Sequence, residues 1–271
     1  MEWSKLKNIV LLLLAVTNLC LLAFVIHREW REEQQLREAR AQAITFLQQR
    51  GVQMDEERVP EKTNLAAQTV EREQEMEQAG AAALLGEDMQ SSEHSGGIRR
   101  YESGKGFVQF HGDGSFSAEF SSGAFPLGED REKSCRELLE KLGFQWELLS
   151  TEEDRLTFRQ KWKGAPLFDQ RATLVCSGDC ITAITGGKRL MGEPAADEGG
   201  QPITAATALF DFYNGLGALG DVCSRVDRIE TGYVSTVGLA GPFTLTPVWR
   251  IHTNTGRYQL DALSGGLSRL P

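Results

Sequence analysis

The chain has 271 residues and a mass of 30.0 kDa, enough for one or two folded domains. With 29 basic against 38 acidic side chains its formal charge is −9, which argues against nucleic-acid binding, since that needs a basic surface. Apolar residues at 41% and charged residues at 25% exclude wholesale disorder, and the apolar ones gather at the N-terminus and in about the last 165 residues.

The first predicted element is a membrane helix. Residues 8–26 form a run of 19 without a charge, most of them Leu, Val, Ile, Ala or Phe. As a helix the run would be about 28 Å long, close to the hydrocarbon thickness of a bilayer. The competing reading is a cleaved signal peptide, with an apolar region of about 7–15 residues and a small-x-small site. This run instead ends in Leu21, Leu22, Ala23, Phe24, Val25, Ile26 and His27, and Leu19 precedes Cys20 where a lipoprotein would carry a small residue. Residues 1–27 are therefore read as an uncleaved signal anchor in the cell membrane. Lys5 and Lys7 on one side face Arg28, Arg31, Arg37 and Arg40 on the other, so a basic-residue count does not favour a cytoplasmic N-terminus. That orientation is still expected, because long C-terminal domains translocate largely regardless of charge. Thr17 and Asn18 fall mid-span. Either Thr17 bonds its own helix and Asn18 is tolerated, or Asn18 hydrogen-bonds a neighbouring transmembrane helix; both are candidate partner-contact residues.

Residues 28–97 read as a helical stalk and a flexible linker. Over 28–50, Leu36, Ala39, Ala43, Phe46 and Leu47 give a narrow helical apolar stripe, with Gly51 as a stop signal. The stripe suits a solvated stalk, a partner helix or a contact with the later domain. Residues 61–85, rich in Glu, Gln and Ala, are predicted helical. Residues 86–97, with Ser91, Ser92, Ser95 and Gly96, are predicted to be the linker.

The pattern then changes to period two. Val108, Phe110, Phe116, Ala118 and Phe120 alternate with polar residues about Asp113-Gly114, which predicts a hairpin whose Asp113 is a turn residue rather than a calcium ligand. Two helix-plus-sheet units follow and repeat each other, within residues 98–193 and 194–271. The first has a predicted helix over 130–142 closed by Gly143, then strands over 156–162, 172–176 and 180–184. The second has a helix over 204–216 closed by Gly217, then strands over 226–234, 245–252 and 257–262. The hairpin around Thr173-Leu-Val-Cys176 aligns with the one around Thr246-Pro-Val-Trp249. The fold class is α+β: an N-terminal transmembrane helix, then two repeated helix-plus-antiparallel-sheet units.

Catalytic constellations are missing from the sequence. It has no Gly-x-Ser-x-Gly elbow and no phosphate-binding glycine loop, and Gly186-Gly187-Lys188 lacks both spacing and hydroxyl. His27, His94, His111 and His252 show no zinc spacing. No catalytic, cofactor-binding or metal residue is expected, and the protein is read as a non-enzyme. Outside Cys20, four cysteines allow three pairings: Cys135, Cys176, Cys180 and Cys223. Cys176 and Cys180 flank a tight turn and are a possible disulfide in an oxidising compartment; free, partly buried thiols are the alternative. Trp162 and Phe168, with Trp249 and Tyr258, suit a core more than a peptide groove.

Several of these segments carry a family resemblance. Met1-Glu-Trp-Ser-Lys-Leu-Lys7 running into the apolar span resembles the opening of YycI-type proteins. Phe158-Arg-Gln-Lys-Trp-Lys-Gly-Ala-Pro-Leu-Phe-Asp169, Leu245-Thr-Pro-Val-Trp-Arg-Ile251, Tyr258-Gln-Leu-Asp-Ala262 and Ser264-Gly265 resemble that family too. The repeated units are similar to PepSY-like domains. The four outer cysteines and the acidic, Gln-rich middle depart from the family pattern. The resemblance implies a membrane-anchored accessory regulator of a Gram-positive WalK/WalR (YycG/YycF) two-component system. Its transmembrane helix would contact the histidine kinase and a YycH-type sister protein, with the folded part outside and no cofactor. Two other classes compete: a PepSY-like extracytoplasmic inhibitor or peptide-binding module, and, with no site to support it, a cell-wall hydrolase.

Overall fold

Glu2–Gln49 form one unbroken helix, α1. No Gly or Pro interrupts those 48 residues, so nothing breaks the backbone ladder over about 70 Å. The helix stops at Gly51, whose φ of +86° suits glycine, and the Gly51 and Val52 amides donate to the Gln48 and Leu47 carbonyls. That pair of bonds is the Schellman arrangement, with Val52 buried beyond it. The expected stalk over 28–50 is thus not a separate helix but the outer half of α1. The computed structural model of the chain describes residues 2–60, 65–197, 200–237 and 242–271.

After α1 the chain forms strand β1 (Gln68–Val70) and helix α2 (Gln74–Leu85). The helix predicted over 61–85 therefore gives way to a strand in its first half, while residues 61–64 lie outside the described residues. The predicted linker contains β2 (Gln90–His94), which pairs with β3 (Ile98–Ser103). All five β2 residues are exposed, so no apolar alternation marks the strand in sequence. Gly96 and Gly97 close this hairpin at positive φ, a conformation glycine adopts without steric cost. The hairpin predicted at Asp113-Gly114 is present between β4 (Gly106–Phe110) and β5 (Ser115–Phe120). Asp113 Oδ1 accepts from the Ser115 amide at 2.9 Å and its hydroxyl at 2.6 Å, which makes it a turn residue and holds its carboxyl below the usual range.

Helix α3 (Arg131–Glu140) is capped by Asp130, whose side chain accepts from the Lys133 amide. Four strands follow as an antiparallel meander: β6 (Gln145–Thr151), β7 (Arg155–Trp162), β8 (Ala165–Ser177) and β9 (Cys180–Lys188). After β10 (Pro194–Ala196), helix α4 (Ala205–Leu219) is capped by Thr204 and leads into a second meander. Its strands are β11 (Val226–Val237), β12 (Phe243–Thr253), β13 (Arg257–Asp261) and β14 (Leu267–Leu270). The protein is α+β, a long apolar N-terminal helix followed by a large sheet with helices on it. Its repeated unit is a helix and a four-stranded meander. Counted from the helix, β8–β9 correspond to β13–β14, one strand later than the sequence match at Thr246 placed them. Helix α4 also passes Gly217 and ends at Gly220, again in a Schellman arrangement, with Asp221 donating to the Leu216 carbonyl.

In the first sheet β5 pairs with β9, so β2–β5 extend the first meander. In the second, β1 pairs with one end of β12 and β13 with the other. Pro247 lies between these two partners, where a missing amide proton disturbs neither ladder. One parallel bridge, Leu167 to Tyr233, joins the sheets. Cores lie on either side of the junction. Helices α2 and α3 bury Leu84, Leu138, Leu139 and Cys135 against Phe110, Phe158 and Leu174. Helices α1 and α4 bury Leu47 and Phe212 against Trp249, Ile251 and Tyr258.

Candidate functional site

The apolar part of α1 stands clear of the folded part. Val10, Leu13, Leu19, Phe24 and Ile26 are all exposed. By length and composition α1 can cross a bilayer, as an anchor or as a signal sequence. Exposed Trp30 and the Arg28–Glu32 ion pair at 2.8 Å follow the span, a position where aromatic rings prefer the membrane interface.

Thr17 Oγ1 donates to the Leu13 carbonyl at 2.9 Å, so its hydroxyl is satisfied within the helix. Asn18 is exposed one position on, turned about 100° around the axis, and no hydrogen bond to its carboxamide is seen among the described residues. In hydrocarbon such a group carries a desolvation cost that a partner helix would remove. The two candidate residues are therefore chemically unlike.

The other end of α1 is seated in the second unit. Ala43, Ile44 and Leu47 are buried against Ala208, Leu209 and Phe212 of α4. Phe46 lies 5.0 Å from the Phe210 ring. Buried Arg40 donates to the Glu56 carbonyl at 2.6 Å, and Gln48 to the Met54 carbonyl at 3.1 Å. The segment after the helix then joins the sheet. The Gln53 amide donates to the Ser224 carbonyl at 2.8 Å, and the Val226 amide to the Gln53 carbonyl at 2.9 Å. Arg58 donates to the Asp227 carbonyl at 2.6 Å. Of the three uses open to the stripe in sequence, the structure has the contact with the later domain. The helix is held by side-chain packing on α4 and by backbone bonds at the start of β11, so its position and that of the second unit are coupled.

The cysteine pairing expected from the turn differs from what is found. In the β8–β9 register Cys176 faces Ile181, and Cys180 faces Ser177. Successive strand residues point to opposite faces, so Cys176 enters the core while Cys180 lies on the other side. All five cysteines are free thiols, and Cys176 Sγ instead sits 3.8 Å from Cys135 Sγ on α3. Burial, then the neighbouring Cys176, push the Cys135 thiol up to about 12. Proximity through the fold, not along the chain, makes this pair, and no local spacing signals it.

Phe168, Trp249 and Tyr258 are buried and Trp162 is half-buried against Phe144, so these aromatics form core rather than a groove. Phe168 lies between the guanidinium groups of Arg159 at 5.1 Å and Arg250 at 4.1 Å, where the two units meet. Arg159 also bonds Glu147 through Nε at 2.7 Å and lies 3.5 Å from Glu230. Fully buried Glu77 is held by Arg72 through two bonds of 2.7 and 3.1 Å. The Arg159–Glu147 and Arg72–Glu77 pairs fix elements in place, while the buried Nε of Arg250 has no hydrogen-bond partner among the described residues. Among the described residues no group of three or more His, Cys, Asp or Glu side chains is placed to hold a metal.

No protein-family model matches the chain, and no curated protein matches it. Among solved structures, an uncharacterized protein from Eubacterium rectale ATCC 33656 is 11% identical, with a TM-score of 0.43, over 77% of this chain and 86% of that one. The C-terminal domain of YpeB from Bacillus megaterium is 12% identical, with a TM-score of 0.38, over 74% of this chain and 99% of that one. Likenesses at this level carry no argument about function.

Proposed function

We propose that the chain is a membrane-anchored extracytoplasmic accessory regulator of a WalK-type sensor histidine kinase, acting through its transmembrane helix together with a YycH-type partner. The N-terminus is cytoplasmic in this reading and the folded part lies outside. The observation that supports it best is the unbroken α1, whose apolar half is exposed and whose last turns bury Ala43, Ile44 and Leu47 in the second unit. A helix built this way carries a tilt or rotation of the folded part into the bilayer. Regulation then requires that the helix bind two kinase states unequally, because contact of equal strength shifts no equilibrium. Asn18 is the residue through which such a preference is expressed, by a hydrogen bond available in one arrangement of helices.

The test is co-purification from membranes with a WalK-type kinase and a YycH-type protein. The full chain is compared with one whose residues 7–26 are replaced by an unrelated apolar helix. Capture by the native span alone supports the reading. Equal capture moves the contact to the folded part. Capture by neither version overturns it and leaves the PepSY-like inhibitor or peptide-binding module.

A further inference from the structure

We propose that Cys135 and Cys176 become joined as a disulfide that staples helix α3 to strand β8. The inference rests on the extracytoplasmic placement given above, since disulfides persist in oxidising compartments. Its own basis is geometric. Cys135 lies on the inward face of α3, in the stripe continued by Leu138, Leu139 and Leu142. Cys176 is near the end of β8 on the face that α3 covers. The sulfurs are 3.8 Å apart, both residues are buried, and the bond length of a disulfide is about 2.0 Å. The remaining ~1.8 Å is a gap between two sulfur atoms, each of which moves by rotation about its own Cα–Cβ bond. Cys180 faces away from this core, Cys223 packs against the core of the second unit, and Cys20 lies on the membrane helix.

The chemistry balances as thiol–disulfide exchange. A disulfide-bearing thiol oxidoreductase is the oxidant. One cysteine thiolate attacks a sulfur of its disulfide, giving a mixed disulfide and releasing one oxidoreductase thiolate. The second cysteine thiolate displaces the other oxidoreductase sulfur, forming the Cys135–Cys176 bond. Each cysteine loses a proton, and the electron pair ends on the oxidoreductase as two thiols. Burial raises the Cys135 thiol further and so disfavours its thiolate, which makes exchange slow once the pair is enclosed in the core. The bond acts as a staple, not as a switch. It spans 41 residues, a far longer loop than Cys176 to Cys180 would close, and so constrains the unfolded chain more.

The experiment uses the full chain in its native membrane. Cells are quenched in acid, the protein is denatured, and thiols are tagged with a maleimide polymer before and after reduction. In parallel, a C-terminal alkaline phosphatase fusion reports whether the folded part is outside. The expected result is two cysteines blocked until reduction, unchanged in Cys180→Ser and Cys223→Ser. One new free thiol should appear in Cys176→Ser, at Cys135. The melting temperature should fall by about 5–15 °C on adding reductant, and that of the C135A/C176A double variant should not respond. Free Cys135 and Cys176 with an active phosphatase fusion overturn the disulfide and leave the topology standing. Free thiols with an inactive fusion overturn both. A linkage between Cys176 and Cys180 also overturns the proposal.

Discussion

Phe46 of α1 meets Tyr213 of α4 edge to face, with ring centroids 5.7 Å apart and planes at 83°. This contact, with fully buried Leu47 beside it, is the mechanical joint between the apolar helix and the folded part. Leu47→Ala should lower unfolding stability by about 2–5 kcal/mol, as for other buried leucines. Phe46→Ala should cost less stability, since Phe46 is only partly buried. Both variants leave the apolar run 8–26 intact, so under the proposed function kinase capture should persist while kinase output loses its dependence on this chain. Urea unfolding of the detergent-solubilised chain measures the first effect, and autophosphorylation in reconstituted membranes the second. Loss of capture together with output would place the kinase contact in the folded part.

Thr17 and Asn18 should separate cleanly on substitution. The Thr17 hydroxyl already bonds the Leu13 carbonyl, so Thr17→Val should leave partner capture unchanged. An interhelical bond from Asn18 contributes about 0.6–2 kcal/mol, so Asn18→Leu should weaken capture roughly 3- to 30-fold. Quantitative pull-down from membranes at several expression levels reads both, and neither variant should shift unfolding of the folded part. Equal effects of the two substitutions would mean that the span acts by shape alone.

The elements that were legible in sequence are those whose local chemistry is complete. Asp113-Gly114 carries its own turn, and Asp130 and Thr204 cap their helices. Strand β2 was hidden because Gln90–His94 is an exposed edge with no buried side to alternate against. Helix α1 read as two pieces because composition changes at Arg28, although the backbone has no reason to break there. The end of α4 was misplaced by three residues since Gly217 is tolerated inside the helix and only Gly220 adopts the left-handed conformation. Of the candidate site, the apolar span was readable, and its seat was not. The seat depends on α4 and on residues 224–227, far along the chain, and the Cys135–Cys176 approach depends on where a helix crosses a strand.

Stability should fall on mild acidification through His252. Its imidazole pKa is lowered first by burial, with Arg228, Arg257 and Arg250 adding to the effect, while Glu230 at 3.9 Å opposes it. The folded state therefore binds a proton less readily than the unfolded state, whose histidine titrates near 6.5. Above about pH 7.5 both forms are neutral and the contribution is constant. As pH falls below that value the unfolded state gains a proton first, and stability declines until the folded pKa is passed. His252→Gln should flatten this limb of the stability profile. Urea midpoints from pH 5 to 8 test it, and a midpoint that rises in the wild type as pH falls would contradict the sign.

The two sheets approach closely at Gly232. A Cβ built there would stand 2.4 Å from the Pro166 carbonyl oxygen and 2.8 Å from the Phe168 ring. The glycine thus lets β8 approach β11 closely enough for Phe168 to sit between Arg159 and Arg250. Gly232→Ala must push either backbone or the Phe168 ring outward, at a cost of about 1–3 kcal/mol or more. Phe168→Ala removes one of those clashes but leaves the carbonyl contact, and it opens a cavity of its own. The double variant should therefore lose less stability than the two single losses added together. A thermal-unfolding cycle over the four proteins measures that coupling. Strict additivity would mean that the Pro166 carbonyl, and not the Phe168 ring, carries the whole clash.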